Sequence, residues 1–207
     1  MLSVNYRLAP EHKYPAAVED AYAAVQWASR HGDKYGWDGQ RLAVMGDSCG
    51  GTLAAVVALM ARDNDGPRIR LQVMVYPILD HGYETASYRQ FGSSWGVLTR
   101  TDMVCFHSNY VSHPDQLDLA YVSPLRCTDL SGLPSALILL PEADPLRDEG
   151  RRYAEGLRKA GVETEVLVYP GMLHGFWQLG GVLPQALTAI DDAARVLRSS
   201  LKPVQPN

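Results

Sequence analysis

The stretch AVMGDSCGGTLAA, residues 43–55, decides how the chain is read. It sets Ser48 between Gly46 and Gly50 in a G-x-S-x-G pattern, the signature of a nucleophile elbow. At average composition the bare pattern turns up in roughly 7% of chains this long, so context has to carry the reading. An elbow needs a strand before it and a helix after it, because the serine sits on a sharp, strained turn at the strand's C-terminal end. RLAVM at 41–45 reads as that strand. Cys49 to Arg62 reads as a helix apolar nearly all round, with Leu53, Val56, Val57 and Met60, and such a helix is normally buried. Gly46 and Gly50, on either side of Asp47 and the serine, stand where side chains are expected to clash in so tight a turn. The helix N-terminus then aims the Cys49 backbone N–H at the position of a developing oxyanion.

A serine alone is a weak nucleophile. It needs a histidine to take its proton and a carboxylate to orient that histidine. In this architecture the chain order is Ser, then Asp or Glu, then His, each just beyond a strand. His174 follows the run ETEVLVY (163–169) across the short turn PGMLHGF. His12 and His31 precede the serine, and His81, His107 and His113 fall in a long connecting segment. The acid candidates follow SALILL in PEADPLRDEG: Glu142, Asp144, Asp148 and Glu149. Asp144 before Pro145 is also an ordinary helix start, with Asp as N-cap and Pro at the first position. Asp148 and Glu149 would then complement the helix dipole. Spacing puts Asp144 ahead of Glu142 and leaves both open.

Outward from the elbow, the pattern is α/β. Leu2 to Tyr6 is β-rich, and Ala16 to Arg30 has helical spacing in Val18, Tyr22 and Val25. Leu71 to Tyr76, Ser135 to Leu140 and Glu163 to Tyr169 are continuous apolar runs, two of them stopped by Pro77 and Pro170. Such runs imply strands buried on both faces of a largely parallel sheet. Leu146 to Ala160 reads as a helix ended by Gly161, and Leu187, Ile190, Ala194, Leu197 and Leu201 mark a last amphipathic helix. Strands and helices alternate, so one mostly parallel sheet flanked by helices is expected in a single domain over 1–207. The connection Ile78 to Pro134 is too long to be structureless. It is expected to be a cap-like insertion carrying short helices, one of them around Arg100–Val111. Its Tyr83, Trp95 and Phe106, with Phe176 and Trp177, are candidates to line a substrate pocket, against the plain alternative of core packing.

The bulk numbers restrict the function. A net charge of -4 with no basic run argues against nucleic acid as a partner. Three cysteines, none paired at metal-ligand spacing, fit a reducing, cytoplasmic compartment and suggest neither a disulfide framework nor a metal site. No signal-peptide pattern or membrane-spanning run is visible.

Several motifs together resemble the hormone-sensitive lipase family of α/β hydrolases, the bacterial family IV esterases. YRLAPEHKYPAAVEDAY (6–22), GDSCGG, YVSPL (121–125), DLSGLP (129–134), DPLRDEG (144–150) and HGF (174–176) follow in that family's order. The resemblance implies an α/β-hydrolase fold, with Ser48 as nucleophile, Asp144 as acid and His174 as base. It implies hydrolysis of small carboxylic esters with short to medium acyl chains, no cofactor, and a homodimer through the last strand and helix as a family-compatible assembly. A folded but inactive ligand-binding module, or an amidase or peptidase on the same scaffold, are the competing readings. Cys49 replaces the family's usual alanine, but its backbone N–H is what an oxyanion needs. The family's HGG or HGGG oxyanion loop lies before YRLAPE, and no such motif occurs here. The resemblance therefore implies an N-terminally truncated fold lacking the first strands, the glycine loop and the cap helices. Loss of one oxyanion donor lowers kcat by about 100- to 1,000-fold.

Overall fold

A computed structural model describes residues 1–93 and 96–202. Four strands form one parallel sheet in the order β1-β2-β3-β4: β1 (Leu42–Asp47), β2 (Ile69–Val75), β3 (Ser135–Ala143) and β4 (Thr164–Leu173). Six α-helices lie in chain order: α1 (Ala16–His31), α2 (Cys49–Asp63), α3 (Ala86–Phe91), α4 (Arg100–Tyr110), α5 (Arg147–Lys159) and α6 (Pro184–Ser200).

The two-residue period of the strands divides the core. Leu71, Val73 and Val75 of β2, with Leu137 and Leu139 of β3, pack against Ala186, Ala189 and Ala193 of α6. On the other face Met74, Ala136, Ile138 and Leu140 meet Ala54, Ala55, Ala58 and Leu59 of α2, and Tyr153, Ala154 and Leu157 of α5. This is why β2 and β3 read as continuous apolar runs: both faces are buried, as parallel sheets require. Helix α1 lies outside α2, with Val18 and Tyr22 against Leu53, Val56 and Val57.

Two expectations are corrected. Leu2–Tyr6 forms no strand. β1 pairs only with β2 among the described residues and leaves Met45 exposed on its outer side. A β-prone segment with no neighbour to complete its ladder stays irregular. β4 does not stop at Pro170 but runs on to Leu173, pairing Ala143 with Leu173 past an irregularity near Pro141. Proline is tolerated because β4 is an edge strand. The 78–134 segment carries two short α-helices, α3 and α4, the latter over the stretch expected to be helical. Their small core of Tyr88, Leu98 and Met103 closes on Leu146 just before α5.

Candidate active site

The turn between β1 and α2 has the geometry of an elbow. Ser48 has φ 53° and ψ -119°, a conformation that L side chains rarely adopt. Its amide donates to the Val75 carbonyl at 2.9 Å, tying the strained residue to the neighbouring strand. A Cβ on Gly46 would run into the Gly50 carbonyl, so glycine is required there. The expected crowding at Gly50 is not found, because a Cβ at that position would meet nothing within 4 Å. The close approach falls on Gly51 instead, where an added Cβ would lie 3.1 Å from the Pro77 Cβ. Cys49 opens α2, so its amide is among those without an intrahelical acceptor. Its exposed thiol lies 3.4 Å from the Tyr6 hydroxyl.

The chain brings the three triad candidates together from three strand ends. His174, directly after β4, places Nε2 3.0 Å from Ser48 Oγ and Nδ1 2.8 Å from Asp144 Oδ2. Asp144, directly after β3, is wholly buried, and its Oδ1 accepts the Leu146 amide at 2.8 Å. It thus organises the start of α5 and faces the imidazole at once. With Nδ1–H donating to the carboxylate, Nε2 is left free to accept from the serine hydroxyl.

The other acids have different partners. Glu142 Oε2 accepts the Gly171 amide at 2.8 Å, holding the irregular end of β4 where Gly171 takes φ 71°. Asp148 accepts the Ser87 amide at 2.8 Å and the Arg147 guanidinium at 3.1 Å, and these donors hold its pKa below the usual carboxylate value despite the opposing effect of burial. Glu149 is wholly buried. Desolvation pushes its pKa up to about 8, although one oxygen accepts the Leu79 and Asp80 amides at 2.9 and 3.0 Å. Its other oxygen has no hydrogen-bond partner.

The pocket candidates scatter. Phe176 is 1% exposed and packs on Tyr76 and Tyr169, so it is a core residue and not a pocket wall. Trp177 is half-buried against the same core, while Phe106 stands exposed on α4. Tyr83 donates to His107 Nδ1 at 2.6 Å inside the 78–134 segment. Burial holds that imidazole neutral, with its pKa pushed down to about 4. Trp95 lies outside the described residues. Among the described residues no group of three or more His, Cys, Asp or Glu is placed to hold a metal ion, and no helix is long and apolar enough to cross a membrane.

Three contacts were not foreseen. The Tyr76 ring lies 4.5 Å from the His174 imidazole, centroid to centroid, and its hydroxyl donates to Asp47 Oδ2 at 3.2 Å. Gln178 donates to the same oxygen at 3.1 Å. Tyr76 carried no sequence signal beyond closing an apolar run before a proline.

A serine on a strained strand-to-helix turn, inside a parallel sheet flanked by helices, defines an α/β hydrolase. A family model described as alpha/beta hydrolase fold matches residues 1–178, and the chain belongs to that family. It is 47% identical to the carboxylic ester hydrolase LipN of Mycobacterium tuberculosis over 191 residues, covering 87% of this chain and 50% of LipN. It is 41% identical to the esterase LipI of the same organism, covering 96% and 62%. The solved thermostable esterase from Pseudomonas putida superposes with a TM-score of 0.93 at 41% identity, covering 96% of this chain and 63% of that one. The chain thus spans between half and two-thirds of the length of these relatives.

Proposed function

We infer that the protein hydrolyses carboxylic esters through Ser48. Ser48 Oγ attacks the ester carbonyl while His174 Nε2 takes its proton, and Asp144 holds the Nδ1–H tautomer and offsets the positive charge on the imidazolium. The Cys49 amide donates to the carbonyl oxygen as it becomes an oxyanion. Collapse expels the alcohol, which takes the proton from His174. Water then attacks the acyl-serine with His174 as base, releasing the acid and restoring the hydroxyl. The observation that carries this reading is the unbroken pair of contacts, 3.0 Å from serine to imidazole and 2.8 Å from imidazole to buried carboxylate. The reading agrees with the similarity to LipN, a carboxylic ester hydrolase, and to LipI, an esterase. Short to medium acyl chains are the proposed substrates, with the 78–134 segment as the cover over them. The intact triad contacts weigh against a purely ligand-binding role.

The test is turnover of p-nitrophenyl acetate and butyrate beside the matching p-nitroanilides. Ester turnover that disappears in Ser48→Ala supports the proposal. Equal turnover by wild type and Ser48→Ala, or cleavage of the anilides alone, overturns it.

A further inference from the structure

We propose that Tyr76 is a positioning residue for His174, holding the imidazole in line with Ser48 through its ring and through a tie to Asp47 and Gln178. The inference rests on the esterase reading above and names the part of the site that keeps the base in place.

Tyr76 follows β2 directly and is wholly buried. Its φ of 38° is one of three positive values at non-glycine residues among the described residues, the others being at Ser48 and Asp65. Two of the three therefore meet at one site. Strain of this kind persists only where the surroundings over-determine it, and an observed outlier is grounds for asking what it does. Here it turns the side chain of a strand-end residue onto the imidazole face, at 4.5 Å and a 53° tilt. Phe176 backs the ring at 6.0 Å.

Besides His174 after β4, the same residue bonds to β1 and β3, the strands that supply the other two triad candidates. Its amide donates to Leu139 of β3 at 2.8 Å, and the preceding Val75 carbonyl accepts the Ser48 amide at 2.9 Å. Its hydroxyl reaches Asp47, the last residue of β1, on the oxygen that Gln178 also uses from the turn after His174. Burial, with the neighbouring Asp47 charge, raises the phenol pKa, so the hydroxyl stays a donor throughout the working pH range. A ring needed only to fill space would require neither the strained backbone nor the carboxylate partner. Asp144 pins the imidazole at Nδ1 alone, which leaves it free to tilt about that contact. A ring against its face removes this freedom. Misplacement of a reacting group by about 1 Å costs on the order of 100-fold in rate.

The experiment follows Ser48 phosphonylation by a p-nitrophenyl phosphonate across probe concentration, together with NMR chemical shifts of the His174 ring protons. Variants are Tyr76→Leu, Tyr76→Phe and Gln178→Ala. For Tyr76→Leu we expect the maximal labelling rate to fall about 100-fold with the half-saturating probe concentration unchanged. The His174 ring-proton shifts should move as the ring current of Tyr76 is lost. Tyr76→Phe keeps the ring and should recover all but about 10-fold, while Gln178→Ala, which leaves the core intact, should lose a few-fold with no change in half-saturation. A folded Tyr76→Leu with wild-type labelling rate and wild-type His174 ring-proton shifts overturns the proposal. If Tyr76→Leu does not fold, wild-type behaviour of both Tyr76→Phe and Gln178→Ala overturns it. Absence of labelling in the wild type sinks the serine-hydrolase reading instead. The His174 ring-proton shifts then still decide for or against the role of Tyr76.

Discussion

Asp144 Oδ2 stands 2.8 Å from His174 Nδ1, while Glu142, two residues earlier on β3, accepts the Gly171 amide. The two acids that spacing left open are thereby separated. Asp144→Asn should lower kcat for p-nitrophenyl butyrate by about 10,000-fold, because the amide favours the wrong imidazole tautomer. Glu142→Gln keeps an acceptor for Gly171 and should stay within a few-fold of wild type. Steady-state kinetics of the two variants checks this directly.

The elbow glycines should respond in opposite ways. Gly46→Ala forces a methyl into the Gly50 carbonyl and should destabilise the fold by about 1–3 kcal/mol in urea denaturation. Gly50→Ala enters open space inside α2 and should be neutral or stabilising by about 0.5–1 kcal/mol.

Glu149 makes stability fall as pH rises. Its folded pKa of about 8 lies above the ordinary 4.5, so the folded chain holds a proton that the unfolded chain releases. The resulting stabilisation is full below pH 4.5 and is lost as pH climbs through 8, by an amount on the order of a few kcal/mol. Glu149→Gln removes this dependence while keeping a carbonyl for the Leu79 and Asp80 amides. Melting temperatures at pH 5 and pH 9 should differ less in the variant than in wild type.

His107 acts on the acid side. Burial depresses its folded pKa to about 4 from an ordinary 6.5, so its contribution is full above 6.5 and is lost as pH falls towards 4. Protection factors of α4 amides, corrected for intrinsic exchange, should fall between pH 6.5 and pH 4, and His107→Phe, which leaves the Tyr83 hydroxyl without that acceptor, should flatten the change.

The parts of this fold that are local in cause were legible in the sequence. Leu71–Val75 and Leu137–Leu140 are apolar on both faces, so they announce a buried parallel sheet before any neighbour is known. Ser48 and His174 could be named as candidates because each follows a strand-like run, RLAVM and ETEVLVY. The acid could not be settled that way. Which carboxylate meets His174 depends on the β3–β4 register and its irregularity after Pro141, a pairing between segments far apart in sequence. Leu2–Tyr6 shows the same limit from the other side, since its β propensity has no effect without a partner strand. Tyr76 and Phe176 were equally opaque. An aromatic at a strand end reads alike whether it packs on an imidazole or in the core, and only the turned backbone of Tyr76 separates the two.

The central claim is that Ser48 carries the acyl group. Brief exposure to p-nitrophenyl butyrate, acid quench and fragment-ion mapping of the GDSCGG peptide test it most directly, because Cys49 next door is the natural rival. The account predicts a butyryl group on Ser48 that is absent from Ser48→Ala. A butyryl group on Cys49, or a label unchanged in Ser48→Ala, would contradict it.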